Sequence, residues 1–268
     1  MKKITTLHIS SFQKKILNRY ASNKRDFPRR DSFNPYRVLV SEVMSQQTQI
    51  WRILPKFELF ISELPTIEDL ANCKKSDLLR LRSGLWFNSR ALRLQQAAKI
   101  IVHEYGGIVP NNRETLLTLP GLGAYSSASI CAFAYNTKES VIDTNIRRVL
   151  IRELKLPLTI SKKDLEEIAF DCVPEWLSND RHNALMDYGS LVCTAKLTWI
   201  KSLSKQSRFK GSDREVRWRV LKQLTKKRKL NESLVAKQFP NKEIKSILRW
   251  MQTDALIHVE ESAIEIAS

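Results

Sequence analysis

Residues 119–130 read Leu-Pro-Gly-Leu-Gly-Ala-Tyr-Ser-Ser-Ala-Ser-Ile, two glycines around one apolar residue ahead of a stretch of small residues. Glycines at Gly121 and Gly123 permit positive φ and let backbone N–H groups approach an anion closely. A helix starting just beyond them adds unsatisfied N–H donors and the positive end of its dipole. Leu119 and Leu122 are expected to anchor the turn in a core, with Pro120 stiffening its entry. The chemistry is a phosphate clamp indifferent to sequence; the competing reading is an ordinary corner between two helices. About 20 residues on, Asp143 offers a carboxylate, which could equally cap a helix beginning near Asn145. Upstream, Gln46 lies four residues after Glu42, one helical turn away on the same face, and Gln47 follows it.

These side chains need helices to hold them. Glycine is scarce, alternating β-branched runs are few, and helical patterns dominate residues 8–200. A helix is predicted over Pro35–Trp51, with proline in its first turn. Pro55 is expected to start the next, burying Phe57, Phe60 and Ile61. Thr66-x-x-Asp69 signals a cap for a helix within 66–82. Residues 90–105, 161–177 and 180–193 continue the amphipathic pattern. The segment 196–212 is basic, Ser-rich and without a clean period, as a linker would be. Beyond it, 213–226, 231–239 and 241–254 read as short helices, and residues 256–267 as a β-hairpin around Glu-Glu-Ser. The expectation is an all-α first domain over 1–200 and a winged-helix-like module over 212–268.

The totals agree with a polyanion partner. Lys and Arg number 45 against 28 Asp and Glu, a net charge of +17. No apolar run approaches the roughly 18–20 residues of a spanning helix, and the N-terminus lacks the apolar core of a signal peptide, so a cytoplasmic protein is expected. The cysteines, Cys73, Cys131, Cys172 and Cys193, are far apart, which disfavours zinc and a disulfide framework.

The hairpin resembles that of the helix-hairpin-helix DNA glycosylases, the endonuclease III and MutY superfamily. Three further segments match in the family's order. Ser41–Gln49 is similar to the family's glutamate helix and closest to its MutY branch; Val141–Val149 to its catalytic-aspartate segment; Ala184–Thr194 to the stretch leading into its cluster loop. Together they span about residues 26–195. The resemblance implies a bilobal all-α glycosylase domain that binds double-stranded DNA, as a monomer by default, with Glu42 and Asp143 in the cleft between lobes.

On that resemblance each residue acquires a role. Breaking an N-glycosidic bond leaves an oxocarbenium-like sugar, and Asp143 would stabilise that charge or attack C1′. A purine leaves more easily when protonated at N7, by an acid whose pKa a dry pocket has raised; Glu42, near Val38, Val43 and Met44, is that candidate. Lyase members carry lysine where this chain has Tyr125, which implies hydrolysis by water. Tyr125 would contact the sugar or Asp143, or be a half-buried helix residue. Gln46 and Gln47 would read base edges, with Gln47 near the opposing base, or form a polar helix surface. Phe87 aligns with a wedge aromatic entering the duplex, with bulky Trp86 beside it as the alternative. Asn145 and Asp187 match polar positions near the sugar and base, or serve as caps.

Three departures from the family pattern qualify the match. Cys193 occupies the first ligand position of the family's iron–sulfur cluster, and its three partners have no counterpart, so no cofactor is expected. The MutY Leu-Pro-Trp-Arg segment is matched by Phe27-Pro28-Arg29-Arg30, which keeps Arg30 and loses the aromatic. The domain that usually reads 8-oxoguanine is not recognisable in the remaining 60 or so residues. The expected activity is hydrolytic removal of adenine mispaired with guanine or 8-oxoguanine. The alternatives are a G/T or G/U mismatch thymine/uracil glycosylase and a non-catalytic DNA-binding protein.

Overall fold

The computed structural model describes residues 5–25, 33–46, 48, 50–81, 88–175, 177–200 and 208–267. In chain order these form α1 (Thr6–Asn23), α2 (Pro35–Ser45), α3 (Ile50–Glu63), α4 (Ile67–Asn72), α5 (Lys75–Leu81), α6 (Asn88–Tyr105), α7 (Arg113–Thr118), α8 (Ala124–Ala134), α9 (Thr144–Glu153), α10 (Lys162–Asp171), α11 (Ser178–Leu191) and α12 (Ala195–Thr198). There follow α13 (Asp213–Leu224), β1 (Leu230–Asn231), α14 (Glu232–Gln238), α15 (Ile244–Thr253), β2 (Ile257–Glu260) and β3 (Ala263–Ile266). The mostly helical fold matches the sequence expectation.

The chain divides into two compact units. The first comprises residues 1–42, 110–118 and 122–205; the second comprises 43–109, 119–121 and 206–268. The core of the first joins Phe12 and Ile16 of α1, Val149 and Leu150 of α9, and Leu185 and Tyr188 of α11. α8 is buried on every side from Ser126 to Ala134. Its small residues let neighbouring backbones approach closely, and an all-round buried helix must be a central one. In the second unit α6 packs along α4 and α5. Buried Gln95 of α6 donates to the carbonyls of Leu70 (3.2 Å) and Cys73 (2.6 Å), tying down the end of α4. In the same unit α13, α14 and α15 adjoin a three-stranded antiparallel sheet of order β1-β3-β2, with Val259 opposite Ile264. The β2–β3 turn places Glu261 and Ser262 at positive φ, the geometry that tight hairpins require.

Several predicted boundaries are corrected. The helix from Pro35 stops at Ser45 instead of Trp51, because the carbonyl of Gln46 accepts from the Arg90 guanidinium and from Thr48 Oγ1 (3.3 Å). These contacts replace the helical bonds that would have continued α2. Pro55 lies inside α3 rather than at its start. The 66–82 segment begins with the expected capping box, Thr66 and Asp69 serving each other's backbone N–H, but it splits into α4 and α5 at Cys73. The 161–177 helix ends at Asp171, and the supposed linker begins with the one-turn helix α12.

Gly189 of α11 faces Asn145 so closely that a Cβ there would lie 2.8 Å from Asn145 Cβ and 3.0 Å from its carbonyl oxygen. Gly189→Ala is therefore expected to cost about 1–3 kcal/mol through overpacking, read as a lowered Tm. An unchanged Tm would contradict this close approach.

Candidate active site

The hairpin is built as its sequence implies, with one difference between its glycines. Leu119 and Leu122 are buried and anchor it. Gly121 has φ +85°, and an added Cβ would press on Arg93 Cβ at 3.0 Å. Gly123 does not use its conformational freedom: it is extended, at φ −109°, and acts as the N-cap of α8. Among the described residues a Cβ there would meet nothing within 4 Å. Gly123 thus leaves open space in front of the first turn of α8, where backbone N–H groups emerge without helical acceptors. Gln46 Nε2 donates to the carbonyl of Gly121 at 3.3 Å, so this amide braces the turn from the end of α2.

Glu42 sits on α2 with 4% exposure, in a run buried from Val38 to Met44. Its Oε2 accepts from Ser129 Oγ of α8 at 2.7 Å. Tyr125 precedes Ser129 by one helical turn on the same face and is 36% exposed. α8 thus places a partly exposed tyrosine one turn before the residue whose hydroxyl holds Glu42.

Asp143 is the N-cap of α9: its Oδ1 accepts from Ile146 N–H at 2.7 Å. Capping and a chemical role coexist, because the second oxygen, Oδ2, accepts separately from Asn145 Nδ2 at 3.0 Å. Burial pushes the carboxyl above its ordinary pKa; donation by Ile146 and Asn145, and the charge of Arg148, pull the other way. Asn145 is in turn held by the Arg148 guanidinium, whose Nε donates to the carbonyl of Cys193 at 2.9 Å.

The strand-like approach to Asp143 is clamped too. Val141 packs on Ala128 and Ala132 of α8. Its N–H donates to His182 Nε2 at 3.3 Å. His182 Nδ1 faces the carbonyl of Ser178 at 2.7 Å, so it carries the ring proton. Burial, and then the charge of Arg181, lower the His182 pKa to about 3. Ser129, Arg148, His182 and Gly189 were not singled out from the sequence. Arg148 left a signal, a cation between Ile146 and Val149 on an otherwise apolar helix face.

Asp187 is buried on α11. Its carboxylate accepts from Arg25 Nε (2.5 Å) and Arg25 N–H (3.1 Å), anchoring the chain where it leaves α1. Arg30, Gln47 and Phe87 lie outside the described residues.

The glycine turn between α7 and α8, with two desolvated carboxyl groups on the helices around it, is the arrangement of a helix-hairpin-helix protein. The chain belongs to the HhH-GPD superfamily of base excision DNA repair proteins, whose family model matches residues 40–175. It is 34% identical to the adenine DNA glycosylase of Mycolicibacterium smegmatis, over 77% of this chain and 78% of that one. It is 30% identical to the thymine/uracil-DNA glycosylase of Methanothermobacter thermautotrophicus, over 69% of this chain and 86% of that one. Among solved structures, a thermostable thymine-DNA glycosylase superposes with a TM-score of 0.63 at 29% identity, covering 70% of this chain and 88% of that one. Among the described residues no helix is long and apolar enough to cross a membrane.

Two expectations follow from these environments. Asn caps helices as well as Asp does, so Asp143→Asn keeps the bond from Ile146, gives up the one from Asn145 and removes a charge whose burial is the largest influence on this carboxyl. Because the folded pKa of Asp143 is raised, its destabilising contribution is absent below the unfolded carboxylate pKa and grows as pH rises through the folded value. The variant should match or exceed wild-type Tm at pH 7; a clear fall in Tm would contradict the desolvation argument. His182 has the opposite sign. Its folded pKa lies below the unfolded 6.5, so its contribution is intact above pH 6.5 and is lost as pH falls towards about 3. That loss amounts to about 1.4 kcal/mol per pH unit. His182→Gln, which can still accept from Val141, should flatten the acid limb of stability against pH; an unaltered limb would contradict a buried neutral His182.

Proposed function

We propose that the protein is a monofunctional DNA glycosylase that hydrolyses the N-glycosidic bond of adenine mispaired with guanine or 8-oxoguanine. The observation that carries this reading is Glu42: a carboxyl group sequestered from water and oriented by Ser129. Protonating a purine at N7 requires such an acid, whereas removal of thymine does not. Relatives named adenine DNA glycosylase support the same choice.

On this reading the Gly121–Gly123 hairpin and the first turn of α8 bind duplex phosphates without regard to sequence. The target nucleotide flips out of the stack. Glu42 protonates the adenine as the bond to the sugar lengthens, and the base departs neutral. Asp143, its carboxylate aligned by Ile146 and Asn145, stabilises the sugar cation until water adds at C1′. Asn145 holds Asp143; Arg148 acts through Asn145 and is a positioning residue. Tyr125, on the same face as Ser129, would line the sugar side of the site, and its phenol offers no amine for a Schiff base. The protein would act on the chromosome as a soluble monomer, with Gln47, Phe87 and Arg30 completing the contacts to base, wedge and strand. Residues 212–268 would form the winged-helix-like module.

We also infer that the protein works without an iron–sulfur cluster. The family's cluster needs four clustered thiolates, and these four thiols do not fit it. Cys131 Sγ donates to the carbonyl of Asn111 (3.6 Å), Cys172 and Cys193 belong to the apolar core of the first unit, and Cys73 lies in the second. Cys193 Sγ is within 3.8 Å of Glu153 Oε1 and 3.9 Å of Arg152 Nη1.

A thymine/uracil specificity is the second reading, favoured by the relative of that name. Glu42→Gln separates the two. It is expected to lower single-turnover adenine excision by about 10²–10⁴-fold with duplex binding retained, and wild-type strand breaks should arise only after alkali. Undiminished adenine excision would remove Glu42 from the mechanism, and breaks without alkali would contradict the monofunctional assignment.

A further inference from the structure

The second unit carries a polar helix face that the catalytic reading does not use. α15 buries Ile244, Ile247, Leu248 and Met251 on one side and exposes Lys245, Ser246, Arg249, Gln252 and Thr253 on the other. Trp250, 40% exposed, borders this face, and the Arg217 guanidinium stacks 4.0 Å from its ring centroid. Acidic groups fall only at the two ends of the helix, Glu243 at its N-cap and Asp254 at its C-cap. Asp254 lies 3.8 Å from Arg93 Nη2. A solvated helix with no partner generally mixes signs along its exposed face; this face carries cations and neutral hydrogen-bonding groups alone.

Its location matters as much as its composition. Arg93, whose head meets Asp254 at the end of α15, is the residue whose Cβ backs Gly121 of the hairpin. All three belong to the second unit. One arginine side chain therefore joins the phosphate-binding turn to the terminus of the exposed helix. The neighbouring β2–β3 hairpin carries Glu260 and Glu261, which would repel phosphate on that side of α15.

We propose that the exposed face of α15 is a second duplex-DNA contact, engaging the same duplex as the hairpin, with Lys245 and Arg249 on phosphates and Gln252, Ser246 and Thr253 beside the groove. The choice of duplex DNA as occupant rests on charge complementarity and on the DNA-glycosylase reading. The contact is sequence-independent in its ionic part, and it gives the module a role in holding DNA that needs no lesion.

The test uses the full chain and an undamaged duplex, so it does not depend on which base is excised. Binding is measured against salt for wild type, for Lys245→Glu/Arg249→Glu, and for Lys245→Gln/Arg249→Gln, which removes both charges without adding new ones. Thermal melting shows that each variant is folded. Loss of two phosphate contacts makes the slope of log K against log salt shallower by about 2. The expected result is that change, with affinity at least about tenfold weaker at moderate salt, and a larger loss for the glutamate pair. Unchanged affinity and slope in both variants would overturn the proposal and leave a protein partner as the occupant of this face. A wild-type protein that bound no duplex would overturn the DNA-glycosylase reading as well.

Discussion

The structure turns on keeping one carboxylate, Asp143, poorly hydrated yet correctly aimed. Its burial disfavours the charge that the proposed chemistry requires. The first turn of α9 offsets part of that cost with the Ile146 N–H, and Asn145 supplies a second donor. Among the described residues no cation pairs directly with the carboxylate: Arg148 acts through Asn145. A charge held by neutral dipoles remains available to stabilise a positive sugar, whereas one already paired with a guanidinium would be spent.

Two helices make this possible. α11 supports the segment on both sides of Asp143: His182 fixes Val141 two residues before it, and Gly189 admits Asn145 two residues after it. α8 supports both carboxyl groups at once, through Ser129 to Glu42 and through Ala128 and Ala132 to Val141. The run of small residues that lets α8 be buried on every side therefore also sets the relative placement of the Glu42 and Asp143 carboxyl groups. A bulky substitution within Ser126–Ala132 would disturb both.

The features legible in the sequence are those written in local patterns. The hairpin, the cap at Asp143, the capping box at Thr66 and the C-terminal helices with their β-hairpin each depend on a few neighbouring residues of distinctive type. What was not legible depends on long-range contacts. The end of α2 is decided by Arg90, 44 residues away from Gln46. His182 reads as an ordinary helix residue until Val141 is laid against it, and the Arg25–Asp187 pair joins residues 162 positions apart. Ser129 could be found only once the α8 face that meets Glu42 was known. Gly123 shows a subtler miss: its glycine is explained by open space in front of a helix rather than by a positive φ.

The most direct test of the account is single-turnover excision on four duplexes, with A opposite 8-oxoG, A opposite G, T opposite G and U opposite G, scored before and after alkali. The account predicts loss of adenine, with strand breaks dependent on alkali. Loss of thymine or uracil with adenine left intact would contradict the assignment of Glu42 as a purine acid. Loss of no base from any duplex would contradict catalysis itself.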